Sequence, residues 1–124
     1  MSHTIHWQKP GETIRLNLAG NLNRQELKDI NQEMNILLQS GPNPLKVILD
    51  VTGLEADYTI ADNLRDTQTY MNDGKVELVL IVTRNKLNHL IMLIAFSICR
   101  AHCVYFSTLE QANHFLQQRF HRLK

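Results

Sequence analysis

The chain lacks any apolar segment long enough to cross a bilayer. Its longest apolar run, Leu90 to Phe96, is seven residues, against the roughly 18–20 a membrane helix needs. The opening MSHTIHWQKP has no apolar core, so no secretory signal is expected. There are only two cysteines, Cys99 and Cys103, fewer than a disulfide-built secreted domain would carry. These two observations give the expectation of a cytoplasmic protein. Neither sign of charge is in excess: 13 Lys and Arg stand against 12 Asp and Glu, for a net +1. That balance gives no reason to expect nucleic acid or an anionic membrane as partner. Five glycines leave little for a phosphate-cradling loop. A Gly-x-Ser-x-Gly elbow, a P-loop, a His-Glu-x-x-His pair and a dinucleotide fingerprint are all missing. Nothing argues for catalysis, and the expectation is a non-enzymatic protein without a cofactor.

What remains is an ordinary globular composition over 124 residues, 44% hydrophobic and 20% charged, the size of one domain covering 1–124. Ile5 and Trp7 alternate with polar neighbours, as in a short strand. KPGE (9–12) is a turn signal. In TIRLNLA, Ile14, Leu16 and Leu18 alternate with Arg15 and Asn17, the pattern of a half-buried strand that closes a hairpin. Asn23 and Glu26 form a near capping box. They open a helix whose Leu27, Ile30, Met34, Leu37 and Leu38 share one side, and which Gly41 and Pro42 end. LKVILDV (45–51) and VELVLIVT (76–83) are apolar almost throughout, as strands buried on both faces are. Between them a helix is predicted from about Ile60 to Asp73, with Ile60, Leu64, Thr67 and Met71 inward. Another is predicted from about Lys86 to Arg100, then a short strand HCVYF (102–106). A last helix is predicted to start on a Ser107–Glu110 capping box, burying Leu109, Ala112, Leu116, Phe120 and Leu123. The order ββαβαβαβα predicts an α/β fold: a five-stranded, mainly parallel mixed sheet flanked by four helices, joined by right-handed crossovers.

Three stretches, LNLAGNLN, KVILDVTGLE and VYFSTLEQANHFL, together with this order, resemble a STAS domain. That is the small fold of bacterial anti-sigma factor antagonists and of the cytoplasmic tails of sulfate transporters. The first looks like the family's Gly-Glu-Leu-Asp strand end, the second like its central "vilDlsgv" strand, the third like its closing "f.s.eeAl..L" helix. The likeness runs from about residue 12 to 118. It implies a regulatory module with a kinase or an anti-sigma-like protein as partner. In that family a kinase phosphorylates a serine in an Asp-Ser-Ser-Gly-like loop, which blocks partner binding. EADYTIAD (55–62) stands at that loop. With a one-residue gap, Asp57 matches the family's Asp and Thr59 the switch serine. Without the gap, Ile60 takes that place, and Ala61 replaces the glycine. The ending RAHCVYFSTLEQANHFL is also similar to STAS-like proteins grouped with lipid-carrying domains, which implies a small apolar or lipid-like ligand.

Read from the residues, Thr59 has two roles open to it. It is a phosphate acceptor at a helix start, where the dipole favours negative charge, or it is simply the cap of the TIAD turn. Thr83 and Arg84 fall at a strand's carboxyl end, where small ligands bind parallel sheets. Arg84 either meets an anion there or pairs with Asp50, Asp57 or Asp62. Cys99, His102 and Cys103 form one cluster, but structural zinc typically takes four ligands, so no metal is expected. On a wheel of about 100° per residue, Leu87, Leu90, Ile91, Ile94 and Ile98 gather on one side and are predicted to cover the sheet. Met92, Leu93 and Phe96 then point away, with His89 at the margin. Either they are a contact surface, for which a homodimer is the simplest partner, or the C-terminal helix folds over them.

Overall fold

The computed structural model describes residues 3–41, 44–55 and 57–121, with 119–121 as backbone only. Pro42 and Leu123, and the side chain of Phe120, lie outside that description. The elements are β1 (His3–Lys9), β2 (Thr13–Gly20), α1 (Arg24–Ser40), β3 (Leu45–Leu54), α2 (Tyr58–Thr67), a 3-10 turn (Thr69–Asn72), β4 (Val76–Val82), α3 (Lys86–Ala95), β5 (His102–Phe106) and α4 (Leu109–His121). β1 and β2 pair antiparallel, and every other pair is parallel. This is the expected α/β fold with its five-stranded mixed sheet.

The strands lie in chain order, β1-β2-β3-β4-β5. Each parallel step therefore moves the same way along the sheet, and right-handed crossovers must set their helices on one face. That is observed. Leu27, Ile30, Met34 and Leu38 of α1, Ile60 and Leu64 of α2 and Ile91 and Met92 of α3 pack with Leu16, Leu49 and Ile81 of the sheet in one core. α4 follows the last strand and has no crossover to make. It turns to the opposite face, where Ala112 and Leu116 pack on Ile48, Leu80 and Val82. Strand alternation feeds both layers: Val47, Leu49 and Val51 face one, Ile48 the other. Full burial of each such aliphatic side chain stabilises by roughly 1.5–3 kcal/mol relative to exposure.

Local chemistry sets the ends. Gly11 turns the β1–β2 hairpin at φ 76°, a region open to glycine at little cost. The Asn23 side chain accepts from the Glu26 N–H, and the Glu26 carboxylate accepts from the Asn23 N–H, which is the capping box read from the sequence. Gly41 ends α1 in extended backbone, not in the left-handed region. Glycine is needed there for closeness, because a Cβ would come within 2.9 Å of the Trp7 ring.

Four expectations are corrected. The cap of α2 is Asp57, which accepts from the Ile60 N–H at 3.1 Å; Thr59 sits inside the first turn, exposed. α2 stops at Thr67, and a 3-10 turn completes the segment. α4 is capped by Thr108, whose hydroxyl accepts from the Gln111 N–H at 3.2 Å, one residue after Ser107. The largest correction concerns α3, which ends at Ala95 with its inward face on Asn88, Ile91, Met92 and Ala95. Met92 is 0% exposed and Phe96 6%, whereas Leu87, Leu90, Leu93 and Ile94 are exposed and Ile98 is 89% exposed. Asn88 explains the rotation: its side-chain amide donates to the Val51 carbonyl at 3.2 Å, so the helix turns its one polar core residue toward the sheet.

Two stability measurements check these assignments. By urea denaturation, Asp57→Ala is expected to cost about 1 kcal/mol and Thr59→Ala less than about 0.5 kcal/mol; equal costs contradict the cap assignment. Met92→Ala is expected to cost about 2–5 kcal/mol, well above Leu93→Ala, and the reverse order would restore the outward reading of Met92.

Candidate functional site

The carboxyl ends of β3, β4 and β5 come to one edge of the sheet, where loops are free to carry side chains that secondary structure does not use. The β4 and β5 ends are tied by the Thr83 N–H, which donates to the Phe106 carbonyl at 2.9 Å. Just beyond this bond lies a shallow cavity of about 200 Å³, lined by Thr83, Arg84, Asn85, Lys86, His89 and Ser107. A second, of about 120 Å³, shares Thr83, His89 and Ser107 and adds Tyr105, Phe106 and Gln111.

Each wall has a local cause. Asn85 caps α3 by accepting from the Asn88 N–H at 2.8 Å, which places Lys86 at the helix's first position. His89, one turn on, stacks on Tyr105 of β5, the ring centroids 4.6 Å apart. Burial pushes the Tyr105 hydroxyl well above the usual phenol range, and the nearby thiols of Cys103 and Cys99 add to it, so this ring stays neutral. Because Thr108 does the capping of α4, the Ser107 side chain is left to both cavities.

Of the residues singled out in the sequence, Thr83, Arg84 and His89 are brought together here. Asp57 and Thr59 are not among the lining residues; they belong to the start of α2. None of the three acids proposed for Arg84 takes it. Asp50 accepts from the N–H and hydroxyl of Thr52 and has Arg15 3.9 Å away. Asp57 caps α2, and Asp62 pairs with Arg65. Among the described residues, Arg84 makes no ion pair. Lys86, Ser107, Tyr105 and Gln111 carry no site signal of their own in the sequence. Ser107 reads locally as a helix cap, and no spacing rule links Lys86 to a strand two elements away.

The thiols of Cys99 and Cys103 are 3.7 Å apart and half-buried. Burial, with Cys99 beside it, pushes the Cys103 thiol up to about 12, so it is a neutral thiol at neutral pH. Strand alternation puts His102 on the opposite face from Cys103, which separates the would-be ligands. Among the described residues, no group of three or more His, Cys, Asp or Glu could hold a metal ion.

The other feature is the outer surface of α3. Leu87, Leu90, Leu93 and Ile94 point away from the sheet, with Ile98 beyond the helix end. α4 packs on the opposite face of the sheet and does not cover them. Met92 and Phe96, expected on this surface, are part of the core instead. Among the described residues, no helix is long and apolar enough to cross a membrane.

No family model matches the chain, and neither does any curated protein. Solved structures do match. One is the anti-sigma factor antagonist SpoIIAA in its unphosphorylated form, at 10% identity and a TM-score of 0.62, over 94% of this chain and 97% of that one. Another is an uncharacterized protein of the DUF3478 family with a SpoIIAA-like fold from Shewanella loihica PV-4, at 14% identity and a TM-score of 0.66, over 93% of this chain and 92% of that one. At these identities the likeness is one of architecture: a sheet with one antiparallel edge hairpin and helices on both faces, closed by a final helix, is the SpoIIAA-like fold.

Proposed function

We propose that the chain is a non-enzymatic regulatory or scaffolding module of the cytoplasm, one unit over residues 1–124. It acts by protein contact through the outer face of α3, and a second copy of the chain is the simplest partner. The observation that carries this reading is the run of exposed Leu87, Leu90, Leu93, Ile94 and Ile98. Scattered exposed apolar residues are normal, but a contiguous group is costly to keep wet and marks a contact. α3 carries a single Lys or Arg, Lys86, at its first position, and no acid. A two-fold axis across one such stripe pairs like with like without burying charge. Against the alternative of an apolar or lipid-like ligand under α3, Ile91, Met92, Ala95 and Phe96 pack into the core against the sheet among the described residues.

A second reading keeps Thr59 as a phosphorylated switch, with a kinase and an anti-sigma-like protein as partners. It is favoured by one observation: Asp57 holds the cap, so exposed Thr59 has no structural duty to lose. A phosphate there would sit in the first turn of α2, near the positive end of the helix dipole.

In sedimentation at tens of micromolar, the native chain is expected to be a dimer. Leu90→Glu combined with Ile94→Glu is expected to give a folded monomer, since exposed substitutions typically change stability by under about 0.5 kcal/mol. A native monomer, or a dimer that survives both substitutions, contradicts the contact reading. For the switch, incubation with a serine/threonine kinase is expected to place phosphate on Thr59, read by mass analysis of a peptide spanning 55–75. An unmodified Thr59 under every condition removes it.

A further inference from the structure

We propose that the paired cavities at the β4 and β5 ends bind a small phosphate ester, the phosphate in the basic cavity and the ester's planar body in the aromatic one. This does not depend on the contact reading.

The phosphate half rests on charge and on an unused donor. Arg84 and Lys86 stand on the walls of the larger cavity, and its lining contains no carboxylate to neutralise them. Thr83 is only 6% exposed, lines both cavities, and its hydroxyl makes no hydrogen bond among the described residues. That hydroxyl opens onto the cavity and is free to donate to an oxyanion oxygen there. The start of α3 adds to it. Asn85 occupies the Asn88 N–H and leaves the first-turn N–H groups of Lys86 and Leu87, which favour an anion by orientation and by dipole. Arg84 brings a planar fork suited to phosphate oxygens, and Lys86 a mobile point charge.

The ester half rests on the adjoining wall. The Tyr105 ring lines the smaller cavity, and His89, stacked on it, is shared by both; the Phe106 ring turns to the other face, against Phe115. A flat apolar body placed there gains ring contacts while its phosphate stays among the cations. The two spaces, about 200 and 120 Å³, are small beside the roughly 300–1,000 Å³ of drug-sized sites, which sets the ligand as a few-atom ester rather than a polymer.

The test is a two-dimensional amide NMR titration of the full chain at pH 7, with inorganic phosphate against chloride at matched ionic strength, then with phenyl phosphate. Saturable shifts are expected at Lys86, Leu87 and Ser107, with phenyl phosphate binding about 2- to 10-fold tighter. Arg84→Gln with Lys86→Gln, both at exposed positions, is expected to keep a dispersed spectrum and lose saturation. Thr83→Ser should retain binding, and Leu90→Glu, which probes the α3 contact alone, should leave it unchanged. Shifts that grow linearly with phosphate, or saturation that survives the double substitution, overturn the site. Equal affinity for the two probes overturns the ester assignment.

Discussion

Asn88 is a polar residue sealed in the greasiest part of the molecule, and its bond to the Val51 carbonyl governs what α3 shows and what it hides. That bond is worth roughly 0.5–1.5 kcal/mol, and the helix cannot roll about its axis without losing it; the Asn88 amide oxygen has no partner among the described residues. With Asn88 inward, Ile91, Met92 and Ala95 follow one turn and two turns later, and Leu87, Leu90 and Ile94 are turned outward. The same bond anchors the start of α3 over the end of β3. Arg84 and Lys86 are thereby held beside the β5 terminus, where His89 meets Tyr105. Contact face and basic cavity are two consequences of one helix rotation.

The layer arrangement supplies the second constraint. Because the strands run in spatial sequence, all crossover helices share a face, and α4 is left to cover the other. Ala112 and Leu116 shield Ile48, Leu80 and Val82. Toward β1 and β2 that face turns polar, with Asn17 donating to Thr4 at 2.7 Å and accepting from Arg15 at 3.2 Å. α4 is thus committed far from α3, which is why nothing within the described chain blankets Leu90 and Ile94.

Much of this was legible in the residues. Period-two alternation in Ile14, Leu16 and Leu18, and the apolar runs of β3 and β4, name strands because a pleated sheet leaves few other ways to bury such patterns. The Asn23–Glu26 box is a local chemistry that needs no tertiary context, and it formed as written. The faults lie where local rules offer two equal answers. Asp57 and Thr59 are both good caps, as are Ser107 and Thr108, and only the packed helix decides between neighbours. The phase of α3 is hidden for a different reason: nearly every position around it is apolar, so the wheel has no polar side to point outward, and no local rule marks Asn88 as the residue that faces the sheet. The site was half visible. Thr83 and Arg84 follow from the strand-end rule, whereas Ser107 and Tyr105 come from another element and join them only through the β4–β5 pairing.

The rotation of α3 can be observed directly from methyl NOEs in the folded chain held dilute enough to be monomeric. The account predicts contacts from the Met92 ε-methyl to core methyl groups of the sheet, and none from Leu90 or Ile94. Sheet contacts from Leu90 and Ile94, with a Met92 methyl that has none, would contradict it.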